Sequence, residues 1–248
     1  MVTLRLFAVL AGFSAAIGLW RVYRALPAQK PVSMLIAALC SLVGALAGAR
    51  AGYVLSHSLY FSLHPQKAWL FWQGGLNAFG ALAGAILSAL LVIILLRSRV
   101  LPGLDLMSLM LLPVSTLIWL GLWYEGVAYG KTLPSGSFFG INSPDEAGML
   151  ATRFPLQLTA ALSLMLFLIL IEYFTKNSRP GLRFSLLGLG FSTHTLIFSV
   201  FRADPVYQAA GVASDSFFSL LFAVIFALTA LILMLVAGRN KDKMEVEA

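Results

Sequence analysis

Three arginines, a glutamate and a histidine stand in or beside stretches of this chain that are otherwise apolar. Ionisable groups are costly there, so each calls for a purpose. Arg50, in GARAGYVLSHS, precedes Tyr53 by three residues, a spacing that puts both on one face of a helix. Such a cation either snorkels to headgroups or holds an anion such as a lipid phosphate inside a cavity. Arg153 and Gln157, in TRFPLQL, are four apart around Pro155. They read as a helix entrance with proline in its first turn, or as a cation and an amide that grip an anion together. Glu125, Tyr129 and Lys131 share LWYEGVAYGK; the first two have helical i, i+4 spacing, which suits an outward salt bridge or a proton acceptor near bound substrate. Arg202, in FRADP, stands beside a potential partner, Asp204. His194, in FSTHTLIF, is the histidine deepest in an apolar stretch, either a hydrogen-bonded interior residue or a proton acceptor. With His57 and His64 it shows no metal-ligand spacing, and no Ser-His-Asp arrangement follows from the order of residues.

A second cluster carries no charge. In WQGGLNAFGALAG, Gln73, Gly74, Gly75 and Asn77 precede Gly80 and Gly84. Such glycines shape a helix entrance that something can approach closely, either another helix or a ligand. The hexapeptide GALAGA occurs at 44–49 and 80–85. Its small-xxx-small faces, Gly44/Gly48 and Gly80/Gly84, predict close packing of the second and third spans.

The elements that must position these groups follow from composition. The chain has 248 residues, 60% hydrophobic and 11% charged, and a mean hydropathy of +0.90; it is predicted to be an all-α polytopic membrane protein. Seven apolar stretches, 4–20, 32–56, 71–96, 104–123, 154–174, 182–200 and 216–237, each approach the length needed to cross a bilayer. They form one integral membrane domain over 1–248, with an outward loop at 124–151 rich in turn formers. The net charge of +7 is sorted by loop rather than spread as in a nucleic-acid binder. Arg21, Arg24 and Lys30 follow the first span, Arg97 and Arg99 the third, Lys176, Arg179 and Arg183 the fifth, and Arg239, Lys241 and Lys243 the seventh. By the positive-inside rule those segments are cytoplasmic, the N-terminus outside and the C-terminus inside. Outward segments hold Lys67, Lys131, Arg153 and Arg202 with Glu125, Asp145, Glu146, Asp204 and Asp215. The first apolar run ends in WRVYR rather than a small-residue cleavage site, which reads as a retained helix. Cys40, the sole cysteine, is expected as a structural thiol in the core.

Several motifs in order resemble the bacterial prolipoprotein diacylglyceryl transferases. In ARAGYVLSHSLYFSLHPQKAWLFWQGGLNAFGALAG the agreement covers Arg50, Gly52, Tyr53, Val54, Leu55, Trp72, Gly74, Gly75, Gly80 and Gly84. LWYEGVAYGK is similar to a decayed form of the family's Gly-Arg-x-Gly-Asn signature, RFPLQL to its Arg-x-Pro-x-Gln-Leu, and FRADP to its terminal Phe-Arg-x-Pro-Asp. The resemblance extends over roughly 32–205 and implies a bacterial cytoplasmic membrane, no cofactor and no metal. It implies phosphatidylglycerol as lipid substrate and the signal peptide of a prolipoprotein as partner. The reaction would move a diacylglyceryl group to a lipobox cysteine thiol, making a thioether and releasing glycerol phosphate.

The resemblance also implies which residues would act. Arg50, Lys131, Arg153 and Arg202 would supply positive charge; Tyr53, Gln73, Gly74, Gly75, Asn77 and Gln157 would contact lipid; Glu125 or His194 would accept the proton. Departures fall at polar positions of the family. Phe79 stands at its histidine, Trp119 at its signature arginine, Leu122 and Glu125 at asparagines, and Thr195 at a further arginine, next to His194. Two functions therefore stand: a diverged transferase, or a catalytically inactive lipid-binding or scaffold subunit of a membrane complex. A small-solute transporter is a weaker third, since paired interrupted helices in two halves are not apparent.

Overall fold

The computed structural model describes residues 2–26, 31–145, 147–204, 208–209 and 212–246. Lys30, Glu146 and Pro205, and the side chains of Arg239, Lys241 and Lys243, lie outside the described residues. The helices are α1 Val2–Ala25, α2 Pro31–Ser56, α3 Ser58–Leu63, α4 Ala78–Leu95, α5 Val100–Met107, α6 Leu111–Glu125, α7 Leu156–Phe174, α8 Leu182–Ser199 and α9 Ser214–Val246. Two small antiparallel hairpins join them: β1 Ile141–Pro144 with β2 Leu150–Arg153, and β3 Gln208–Ala209 with β4 Val212–Ala213. The protein is a helical, multi-pass membrane protein.

Six helical segments among the described residues are long and apolar enough to cross a membrane: Leu6–Ala25, Val32–Ser56, Ala78–Leu95, Val100–Glu125, Leu156–Phe174 and Ser214–Val236. The expected span at 182–200 forms α8, of 18 residues, roughly 27 Å long. Its glycines, serines, threonines and histidine dilute its apolarity, and many face inward: Ser185, Gly188, Gly190, Ser192 and His194 are all buried. Two other expectations need correction. Residues 71–77 are not part of the α-helix; a 3-10 turn at Phe71–Gln73 and an irregular stretch lead to α4. The fourth span begins earlier than position 104 and breaks at a 3-10 turn, Ser108–Met110. Such a break frees carbonyls that lipid cannot satisfy, and Arg21 Nη1 donates to one of them, Leu109 O, at 2.7 Å.

The tightest helix contact is between α2 and α4, and the two GALAGA repeats make it. A Cβ added to Gly84 would lie 2.1 Å from the carbonyl oxygen of Gly44, and one added to Gly48 would lie 2.3 Å from that of Gly80. Nothing but hydrogen fits between these backbones. Close packing of this kind replaces the hydrophobic driving force that helices lack when lipid is the solvent. Cys40, on α2, is only half-buried rather than a core thiol.

Polar ties fix the end of the bundle where α1 and α7 finish. Arg21 of α1 forms an ion pair with Glu172 of α7. Asp105 of α5 reaches the turn before α8, where Oδ2 accepts from Gly181 N at 2.6 Å and Oδ1 from Phe184 N at 2.8 Å. A carboxylate borrowed from α5 thus caps α8, whose own N-cap is a glycine. These contacts bring the last turns of α1, with Arg21 and Arg24, and the turn after α7 to one end of the molecule.

Candidate functional site

Arg50 sits on the second-to-last turn of α2 and is bound by its own chain. Nε donates to Ala68 O at 2.8 Å, Nη1 to Gly74 O at 2.7 Å and Gly75 O at 3.1 Å, and Nη2 to Lys67 O at 2.6 Å. The two glycines make this possible. Gly74 and Gly75 have φ of +90° and +72°, a region open chiefly to glycine, and the turn points both carbonyls at the guanidinium. A Cβ on Gly75 would also strike Tyr53, 2.5 Å from its ring. Tyr53 shares the Arg50 face as its spacing predicted, with the guanidinium carbon 5.7 Å from the ring centre. Asn77 caps α4, its Oδ1 accepting from Gly80 N at 2.7 Å, and its N–H is donated to Ala49 O at 3.0 Å. Gln73 is exposed. The glycine-rich entrance therefore serves two close approaches, helix to helix at Gly80 and Gly84, and arginine to backbone at Gly74 and Gly75.

The other arginines meet at the turn after α6. Gly126, with φ +65°, ends that helix directly after Glu125, so Tyr129 is not on a helical face with Glu125. Arg153 is the last residue of β2 and α7 starts at Leu156; the Arg153–Gln157 pair likewise does not share one helix. The turn unites them instead. Gln157 Nε2 donates to Val127 O at 2.9 Å, and the Arg153 guanidinium carbon lies 4.5 Å from the Tyr129 ring centre. Arg153 is 7% exposed; Nη2 donates to Asp145 at 3.2 Å, and Nε has no hydrogen-bond partner among the described residues. Arg202 adjoins through a backbone bridge to Gly130, and its side chain pairs with Asp204, as the sequence suggested, and with Asp215. Glu125 Oε1 is buried without a partner among the described residues. Lys131 is exposed, and its carbonyl accepts from Phe154 N at 3.0 Å.

The buried interior is aromatic. Phe79, 2% exposed, and Trp119, 7% exposed, belong to one apolar cluster with Ala160, Ala161, Leu164, Leu187 and Phe191. The Phe79 ring lies 5.4 Å from Phe222, 6.0 Å from Phe191 and 6.5 Å from Phe218, distances at which ring edges and faces attract. Trp119 meets Phe198 at 6.5 Å. His194 stacks on Phe198 with ring centres 4.3 Å apart. Its Nε2 lies 2.8 Å from Ser163 Oγ of α7, and its Nδ1 is buried without a partner among the described residues.

Sequence reasoning missed Ser163, the pairing of Asp215 with Arg202 and the Tyr129 seat for Arg153. Nothing in their spacing announces them, because each comes from a different element. It also passed over Asp105 and Glu172, although a lone carboxylate inside an apolar stretch is a readable signal. The site offers cations held in ion pairs and on an aromatic face at one end, one histidine backed by a hydroxyl, and an aromatic wall beside it.

Comparison with known proteins agrees with the motifs. The chain is 28% identical over 172 residues to a phosphatidylglycerol–prolipoprotein diacylglyceryl transferase of Paracidovorax citrulli (strain AAC00-1), covering 67% of this chain and 62% of that protein. It is 30% identical over 169 residues to the one from Geobacter sulfurreducens, covering 64% and 58%. A shorter match, 38% over 89 residues, is to that of Rhodospirillum centenum, covering 34% and 31%. The matches thus span about six-tenths of the length of the first two relatives. The model of the prolipoprotein diacylglyceryl transferases matches residues 1–236, nearly the whole chain, and on that match this chain belongs to the prolipoprotein diacylglyceryl transferase family.

Proposed function

We propose that this protein keeps the family's lipid-contacting scaffold without its transfer chemistry, as a lipid-binding or scaffold subunit in a bacterial cytoplasmic membrane. In this reading α8 is the seventh span, the N-terminus lies outside and the C-terminus inside. The observation that carries it is the aromatic cluster around Phe79 and Trp119. Transfer of a diacylglyceryl group joins a thiolate sulfur to the lipid glycerol carbon as the carbon–oxygen bond to phosphate breaks. It needs a group to take the thiol proton and cations to receive the charge growing on the departing glycerol phosphate. The resemblance puts a histidine and an arginine where Phe79 and Trp119 pack against rings. Charge developing beside those rings would meet several kcal/mol of desolvation with no donor to offset it.

The polar clusters at the outward end suit an anionic headgroup better than a reaction. Arg153 is buried on an aromatic face with one N–H unmatched among the described residues, an arrangement ready to donate to one phosphate oxygen. Phosphatidylglycerol, in the names of the relatives, is the lipid we assign to it. Lipid retained by the purified protein tests this. Phosphatidylglycerol should be enriched over its share of the source membrane, and Arg153→Gln should lower that enrichment roughly tenfold, the loss of one charge-assisted hydrogen bond. Equal retention by the variant would remove Arg153 from the account.

Active transfer is the second reading, and one observation favours it: His194 presents a buried Nδ1 with no partner among the described residues, with Ser163 behind its other nitrogen. There His194 or Glu125 would take the proton of a lipobox cysteine, and Arg50, Arg153 and Arg202 would hold the phosphate.

A further inference from the structure

The turn between α7 and α8 borders a groove of about 340 Å³ that none of the foregoing uses. It is lined by Asn177, Ser178, Arg179 and Leu182 on one side and by Leu233 and Met234 of α9 on the other. Gly181, with φ +87°, lies beside it; a Cβ there would meet Leu101 at 2.9 Å and Leu233 at 3.1 Å.

The local charge is positive and unevenly engaged. Arg183 folds back to the end of α7, donating to Lys176 O at 2.9 Å and Thr175 O at 3.3 Å, as cations do at helix C-termini. Arg179 and Lys176 are exposed, and the Arg179 guanidinium makes no hydrogen bond or ion pair with any described residue. Among the described residues, two carboxylates lie nearby and each is engaged. Asp105 accepts from Gly181 N and Phe184 N, and Glu172 is paired with Arg21. The level in the membrane is marked by exposed Trp20 and Tyr23 on α1 and Tyr173 and Phe174 on α7, residues that collect where hydrocarbon meets headgroups.

We propose that this groove binds the phosphate-ester headgroup of an anionic phospholipid, Arg179 and Lys176 taking the phosphate while Leu182, Leu233 and Met234 receive the start of an acyl chain. Basic pockets between spans at the headgroup level take anionic lipids by this combination of charge and apolar wall. The site is at the opposite end of the bundle from Arg153 and stands independently of whether transfer occurs.

The test uses the full-length protein in phosphatidylcholine nanodiscs with a small share of phosphatidylglycerol carrying a photoreactive group on its headgroup. After illumination, mass spectrometry of proteolytic fragments should place the label on the peptides holding Lys176–Leu182 and Leu233–Met234. Arg179→Ala should lower labelling roughly fivefold, the effect of one cation at a membrane surface. Leu233→Trp, which fills the groove without touching charge, should lower it as well. Millimolar glycerol phosphate should not compete. Equal labelling by photoreactive phosphatidylcholine, unchanged labelling in both variants, or displacement by glycerol phosphate would each overturn the proposal, the last by assigning the groove to a soluble phosphate ester.

Discussion

At the scale of single residues, Arg50 shows how a charge in an apolar stretch can be structural and still look like a ligand-binding group. Its guanidinium is directed at four carbonyls from the 67–75 segment, fastening an irregular loop to the end of α2. Bonds to a charged donor contribute about 1.5–3 kcal/mol each, net of the exchange with water. Arg50→Ala should therefore loosen the loop while leaving the bundle intact. Limited proteolysis in detergent should show cleavage within 57–76 rising about tenfold, with the helices still protected; an unchanged cleavage rate would mean that the loop holds itself. The face shared by Arg50 and Tyr53 was legible from a spacing of three. The four carbonyls were not, because two belong to the 3-10 turn Pro65–Trp69 and two to the Gly74–Gly75 turn, and no period relates them to Arg50. His194 was legible as an interior histidine, but Ser163 opposite it was not, since the pairing depends on how α7 and α8 are rotated against one another.

Among the elements, the glycines divide by what surrounds them, and that division predicts three different costs. Gly84→Ala places a methyl 2.1 Å from the Gly44 carbonyl, so α2 and α4 must separate. Gly74→Ala meets nothing within 4 Å but has to hold φ +90°, a strain of about 1 kcal/mol or more. Gly12→Ala, in the middle of α1 with open space around it, should be neutral or slightly stabilising. Thermal unfolding in one detergent should rank Gly84→Ala far below Gly74→Ala, with Gly12→Ala at or above the parent protein. A Gly84→Ala protein as stable as the parent would contradict the backbone contact between the repeats. The repeats were readable in sequence because a small-xxx-small face has a fixed helical period. The ends of α6 and α7 were not: Glu125 with Tyr129 and Arg153 with Gln157 have helical spacing, yet Gly126 and Pro155 interrupt the helix between them.

For the whole molecule, the number of spans decides which surfaces meet. Among the described residues six segments qualify by length and apolarity; α8 is the seventh in our reading, and its polar residues are tolerable because α7 and α9 cover them. Odd and even counts give opposite results in one labelling experiment. In a Cys40→Ala background, Ser137→Cys should react with a membrane-impermeant maleimide added to intact cells, while Asn177→Cys and Lys241→Cys should react only after the membrane is opened. Labelling of Lys241→Cys from outside would place both chain ends on one side and remove α8 as a span. The expected arrangement rests on the basic turns, since charge sorting depends on composition alone; the Arg21–Glu172 pair and the Asp105 cap at the ends of α7 and α8 required the folded chain.

The claim on which the account rests is that Phe79, Trp119 and their ring neighbours have taken the place of the transfer chemistry. The most direct measurement incubates the purified protein with phosphatidylglycerol and a lipobox peptide, beside an active relative such as that of Geobacter sulfurreducens, and weighs the peptide by mass spectrometry. The account predicts an unmodified cysteine with this protein and a diacylglyceryl-cysteine with the relative. A diacylglyceryl adduct made by this protein above the enzyme-free control, and lost in His194→Ala, would contradict it and establish the second reading.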